Sequence, residues 1–177
     1  MKKTRQIALG AVVGAFSVMC MFFTGIFPFA TYAFPATAGC FLVAVILESG
    51  KKWAFLTFLT AALISWIITP DKEAVLAYSL LLGYYPIVKL CYEQMKSRII
   101  EWVLKILHFN LILAAALGAG IYLLKLDASF EILKSLGLIG ILGVWIIANA
   151  VFVIYDIGLS RMIFGYIRWI RPKIMRG

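Results

Sequence analysis

The side chains able to do chemistry are few and far apart. The chain holds one histidine, His108, and three cysteines, Cys20, Cys40 and Cys91. No Cys-x-x-Cys pair and no Cys/His cluster occurs, so the sequence lacks the ligands of a usual zinc site. The thiols read as small apolar side chains. Enzyme templates fail as well. There is no His-x-x-x-His, no Gly-x-Ser-x-Gly and no Walker sequence, and no pair of carboxylates lies inside an apolar run. Ser17 and Ser65 have no motif that would make either a nucleophile for His108. No enzyme, no cofactor and no metal is expected.

The remaining candidates are polar residues stranded in apolar surroundings. Asn110 lies about 15 Å from the inner end of its segment and Asn149 about 10 Å from the inner end of the next. They are close enough in depth to bond across helices, as an interhelical amide pair or as ligand contacts. Asp156 has Leu159 and Ser160 at i+3 and i+4, so no base on its own helix meets it. It reaches interfacial water or pairs with Lys89 or Lys105, and a structural ion pair is favoured over a proton relay. Gly83-Tyr84-Tyr85-Pro86 sets two amphipathic rings at an interruption, lining a cavity or, for Tyr85, joining an inner aromatic belt.

The elements that must position these residues follow from composition. Hydrophobic residues are 64% of the 177 and charged residues 14%, against about 25% charged in an ordinary soluble domain. Mean hydropathy is +1.00. A soluble domain of this size cannot bury so much apolar surface, and the bilayer is the solvent that fits. Six apolar segments follow, about 7–27, 29–47, 53–68, 74–90, 100–124 and 136–155, most near the ~20 residues of a spanning helix, with the third, 53–68, short for a span. Backbone groups in lipid require helix, so the fold expected is all-α and polytopic. Residues 1–156 form one membrane domain, and residues 157–177 form a basic cytoplasmic tail, read as an interfacial helix or a topology anchor. The N-terminal apolar run outlasts a signal peptide and reads as a retained first helix.

Charge sets the orientation. With both ends inside, fourteen basic residues fall on the inner side: Lys2, Lys3, Arg5, Lys51, Lys52, Lys89, Lys96, Arg98, Lys105, Arg161, Arg168, Arg171, Lys173 and Arg176. Only Lys72, Lys125 and Lys134 fall outside. That asymmetry gives a multi-pass cell-membrane protein with both termini cytoplasmic. It also accounts for the net charge of +9 without a nucleic-acid partner; membrane lipid is the partner expected.

The connections carry their own signals. Phe27-Pro28-Phe29 reads as an outer turn, and Pro28, Pro35 and Pro86 are expected to interrupt their segments. In Thr69-Pro70-Asp71-Lys72-Glu73, Thr69 or Asp71 caps a helix, with Pro70 in its first turn. Glu131 and Lys134 are spaced to pair. Lys89, Glu93, Lys96, Glu101 and Lys105 form a ladder that predicts a helix continuing into the cytoplasm, either a solvated face or a docking surface.

Small residues crowd the start of the first segment: Ala8, Gly10, Ala11, Gly14 and Ala15. The Gly10-x-x-x-Gly14 and Ala11-x-x-x-Ala15 spacings make a flat flank that admits another helix, inside the fold or on a partner. A solute pocket, if present, belongs in the outer half, where Tyr32, Tyr78, Tyr122 and Trp145 bring aromatic surface and Thr31 and Ser79 bring hydroxyls. An outer aromatic belt explains the same rings. Tyr78, Trp145, Tyr122, Tyr32, Asn110 and Asn149 are therefore the candidate substrate contacts.

Ala11-Val12-Val13-Gly14-Ala15, backed by Ala8 and Gly10, resembles the Ala-x-x-x-Ala motif on the first helix of the substrate-binding S components of energy-coupling factor transporters. Size and helix count are similar over the whole chain. The resemblance implies a six-helix subunit that takes a small vitamin-like solute from outside. It also implies docking on a transmembrane T component and driving by two cytoplasmic ATPases. The chain lacks the His-rich N-terminus of nickel and cobalt members, which points away from a metal cargo. A membrane scaffold similar to the MreD-type rod-shape protein is the alternative. A pocket opening outward between spans four and six favours the transporter, and a filled bundle favours the scaffold.

Overall fold

The computed structural model describes residues 3–95, 97–124 and 137–171. Among them every regular element is helical. Helix α1 is Lys3–Thr24, a 3-10 turn follows at Pro28–Ala30, and α2 is Ala33–Ser49. Helix α3 is Lys51–Ile68, α4 is Lys72–Ala77 and runs on through a π-turn at Tyr78–Leu82, and α5 is Tyr85–Tyr92. Helix α6 is Arg98–Leu124, and α7 is Gly137–Gly165, continued by a π-turn at Tyr166–Ile170. Five stretches are long and apolar enough to cross a membrane: Lys3–Thr24, Lys51–Ile68, Lys72–Tyr92, Arg98–Ala119 and Ile139–Trp169. Helix α2 is apolar but has 17 residues.

Local chemistry explains the ends. Gly50 joins α2 to α3 at φ +91°, and its N–H donates to the Ile46 and Val45 carbonyls at 3.0 and 3.2 Å. That positive-φ, extended backbone is one that glycine adopts without the strain a Cβ would bring. Asp71 caps α4 by accepting from the Ala74 N–H at 3.0 Å. The Lys72 ammonium donates to the Trp66 and Thr69 carbonyls at 2.7 and 2.9 Å, so one short link satisfies the end of α3 and the start of α4. Pro70 precedes the cap and does not enter the first turn. The segment holding Pro86 is interrupted as expected, at the turn 83–84, while Pro28 and Pro35 stand at the starts of elements. Pro28 opens the 3-10 turn, Pro35 lies in the first turn of α2 and Pro86 in the first turn of α5, where a missing N–H costs no bond.

Two cores hold the bundle. One joins α1 to α4 and includes Val13, Met21, Ala38, Leu42, Phe58, Ala61, Ala62, Ala74 and Tyr78. The other, around Val43, Tyr85, Phe109, Phe152 and Leu159, ties α2 and α5 to α6 and α7. Phe109 and Phe152 stack at 4.4 Å between centroids. Closest approach is at Gly39 of α2, where a Cβ would fall 2.0 Å from the Leu82 carbonyl oxygen. The outer sides of α6 and α7 expose large apolar residues such as Leu111, Ile146 and Ile154, the surface a lipid solvent requires.

Two expectations about helix extent change. Residues 93–95 form a turn between α5 and α6, so the charged ladder is not one helix running into the cytoplasm. Helix α7 passes residue 156 without a break, so the boundary drawn there is not an end of secondary structure. The Glu131–Lys134 pair falls outside the described residues.

Candidate functional site

Three groupings gather the candidate residues. The first is a buried ion cluster where α5, α6 and α7 meet. Asp156 of α7 is 2% exposed. Its Oδ1 accepts from Lys89 Nζ at 2.5 Å and from the Tyr85 hydroxyl at 2.6 Å, and its Oδ2 accepts from Lys105 Nζ at 3.0 Å. Lys89 also donates to the Asp156 carbonyl at 3.0 Å and pairs with Glu93 at 2.9 Å. An ammonium has three donors, and all three of Lys89 are engaged. Lys105 pairs with Glu101 at 2.8 Å, lies 3.7 Å from Glu93 and sits 5.2 Å from the Trp102 ring centroid. Ser160 adds a hydroxyl to Glu93 at 3.3 Å.

This arrangement corrects two readings. Lys89 and Lys105 are buried, not the solvated face of a ladder, because Asp156 pulls both into the bundle. Tyr85 is buried in the core instead of lying in an inner aromatic belt, because its hydroxyl has a carboxylate partner there. The pairing of Asp156 with Lys89 and Lys105 matches the expectation. Tyr85, Glu93 and Glu101 are the members that sequence reasoning missed. The i, i+4 spacings Lys89–Glu93 and Glu101–Lys105 were the available signal, but they do not show which side of a helix faces inward.

Beside the cluster, His108 bridges two tyrosines. Its Nε2 lies 3.1 Å from the Tyr84 hydroxyl and its Nδ1 3.2 Å from the Tyr92 hydroxyl. Both rings meet the imidazole edge to face. A cavity of about 440 Å³ opens at this end, lined by Glu93, Met95, Arg98, Glu101 and Ser160.

The second grouping is the amide pair. Asn110 Nδ2 donates to Asn149 Oδ1 at 3.0 Å, and Asn149 Nδ2 donates back to Asn110 Oδ1 at 3.3 Å. The Trp145 indole N–H donates to Asn110 Oδ1 at 2.6 Å. Each amide also closes onto its own helix, Asn110 to the Ile106 carbonyl and Asn149 to the Trp145 carbonyl. Three of the six candidate substrate contacts therefore meet, as a self-satisfied link between α6 and α7.

The other three lie elsewhere. Tyr78 is fully buried in the core of α1–α4, 5.6 Å from the Phe58 ring. Tyr32 is exposed and donates to Glu73, tying the connection between α1 and α2 to the start of α4. Tyr122 is in α6 by backbone, and its side chain lies outside the described residues. Tyr78 and Trp145 therefore do not share a site, since Tyr78 packs in the core while Trp145 is half-exposed beside Asn110.

The third grouping is the small-residue flank of α1, which divides in two. A Cβ on Gly10 would meet Thr57 Oγ1 at 2.8 Å, and one on Gly14 would meet Thr57 Cγ2 at 3.6 Å, so the glycine pair seats α1 on α3. Ala8, Ala11 and Ala15 are exposed.

Among the described residues no group of three His, Cys, Asp or Glu side chains is placed to hold a metal ion. No family model, curated protein or solved structure matches the chain.

Proposed function

We propose that the chain is a six-span, N-in/C-in subunit of the cell membrane that acts as the substrate-binding S component of an energy-coupling factor importer. It carries no catalytic centre, captures a small vitamin-like solute from outside and docks on a T component served by two ATPases. Helix α2 supplies the sixth crossing. Its 17 residues reach about 25 Å, and the neighbouring turns make up most of a ~30 Å core.

The division of the α1 flank carries this reading. Gly10 and Gly14 are occupied by α3, while Ala8, Ala11 and Ala15 stay exposed on turns near the basic end. A smooth alanine face on a helix already anchored from its other side can receive a partner helix without repacking the fold. The test is co-expression with a T component and its ATPases. Ala11→Leu with Ala15→Leu should remove the T component from an affinity pull-down while the chain stays monodisperse in detergent. Undiminished recovery of the T component would sink the proposal.

One observation favours the MreD-type scaffold instead. Tyr78 is packed in a filled core away from Trp145, and a scaffold needs no outer pocket. A chain that supports no solute uptake with any T component, and whose loss alters cell shape, would fit that reading.

A further inference from the structure

The cavity beside the ion cluster has a volume of about 440 Å³ and is lined by Glu93, Met95, Arg98, Glu101 and Ser160. That volume falls within the range of small-ligand sites, about 300–1,000 Å³. Its walls carry both signs of charge. Arg98 and Glu101 are three residues apart on α6, a spacing at which opposite charges pair. Glu101 turns instead to Lys105 at 2.8 Å, and among the described residues the Arg98 side chain has no ion pair or hydrogen bond. Glu101 is 6% exposed, so its carboxylate is fixed in the wall and not swung into solvent.

The carboxylates keep capacity for a ligand. Glu93 meets Lys89, Lys105 and the Ser160 hydroxyl through Oε1, and Glu101 meets Lys105 through Oε1. The second oxygen of each, Oε2, has no hydrogen-bond partner among the described residues. Three carboxylates, Asp156, Glu93 and Glu101, face two ammoniums, Lys89 and Lys105. The cluster is therefore one negative charge in excess, and Arg98 stands across from it with the balancing positive charge. A ligand matching both walls carries an ammonium and an anionic group.

Place in the fold selects the source. The apolar stretch Lys72–Tyr92 ends at this cavity and Arg98–Ala119 begins there, which sets the cavity at the level of lipid headgroups. Beside it on α6, Ile99, Ile100 and Val103 are 77%, 53% and 57% exposed, an apolar track for acyl chains. Charged pockets between spans at this depth take lipid headgroups.

We propose that the cavity binds the headgroup of an aminophospholipid, its primary ammonium on Glu93 and Glu101 and its phosphate on Arg98. The proposal stands independently of the transport reading. The ammonium has three donors for the two Oε2 atoms and the Ser160 oxygen, and the phosphate takes the guanidinium as a bidentate pair. A choline headgroup has no N–H to donate, and a glycerol headgroup has no cation.

Native mass spectrometry of the full chain in mild detergent tests this. The chain is titrated separately with phosphatidylethanolamine, phosphatidylcholine and phosphatidylglycerol of the same acyl chains. One phosphatidylethanolamine should bind at a concentration roughly tenfold below the other two, the worth of one charged hydrogen bond. Arg98→Gln and Glu101→Gln should each weaken that adduct by roughly tenfold. Arg161→Gln, an exposed charge outside the lining, should leave it unchanged. Equal adducts from the three lipids, or a preference for phosphatidylglycerol, would overturn the proposal. So would an undiminished phosphatidylethanolamine adduct in Arg98→Gln, or an equal loss in Arg161→Gln. Soluble phosphoethanolamine binding as tightly as the lipid would overturn the lipid source. Should Glu101→Gln fail to fold for want of a Lys105 partner, Arg98→Gln and the headgroup series decide the matter.

Discussion

Asp156 holds the α5–α6–α7 side together. Its two carboxylate oxygens receive Lys89, Lys105 and the Tyr85 hydroxyl, so neutralising it takes the shared counter-charge from two buried cations, leaving Lys89 with Glu93 and Lys105 with Glu101, and weakens the acceptor of one buried phenol. Removing one partner of a buried ion pair costs about 3–5 kcal/mol. Asp156→Asn should therefore lower the thermal stability of the detergent-solubilised chain by several degrees or abolish the folded species. Glu93→Gln should cost less, because Glu93 is only part-buried and Lys89 keeps its Asp156 bonds. Equal effects of the two would show that the cluster has no centre. Asn110 and Asn149 make a smaller claim. Interhelical amide bonds in membranes are worth about 0.6–2 kcal/mol, and each of these amides keeps a bond to its own helix. Asn149→Ala should cost about 1 kcal/mol in thermal unfolding, and adding Asn110→Ala should cost little more, since one change already breaks the pair.

Element packing separates glycines that look alike in sequence. Gly39 touches the backbone of Leu82, which cannot rotate away as a side chain would, whereas a methyl added at Gly118 would have nothing within 4 Å. Overpacking typically costs about 1–3 kcal/mol, and a 2.0 Å approach to a carbonyl oxygen sits at the severe end. Gly39→Ala should cost about 3 kcal/mol or more, while Gly118→Ala should stay within about 1 kcal/mol of the parent; parallel unfolding curves in detergent compare them. The same distinction governs α1, where Gly10→Leu should destroy the folded chain by collision with Thr57 and Ala11→Leu should leave it folded. The helices and the Asp71 cap were legible because apolar run length and capping chemistry are local. The inward turn of the charged ladder was not, since i, i+4 spacing fixes a stripe and only the partner on α7 fixes which way it faces. Tyr78 and Trp145 lie apart for the same reason: depth along a helix is readable from sequence, and azimuth around a helix without a strong amphipathic pattern is not.

At the scale of the whole molecule, orientation joins these pieces, and it rests on charge alone. The clustered bases near Lys51 and Arg98 lie at the same end of the bundle as the start of α1, and Asp71 lies at the other end of α3. Positive residues resist translocation, so the proposed topology puts the first end in the cytoplasm and the Asp71 end outside. The native thiols Cys20, Cys40 and Cys91 are free, so they must first be replaced by Ala or Ser. Single cysteines at positions 51, 71 and 98 then report topology in intact cells through a membrane-impermeant maleimide. Position 71 should be labelled without permeabilisation, and positions 51 and 98 only after it. Labelling of 51 or 98 from outside would invert the chain. The exposed Ala8–Ala11–Ala15 face would then lie at the outer surface, beyond the reach of cytoplasmic ATPases acting through a T component, and the transport proposal would fall with it.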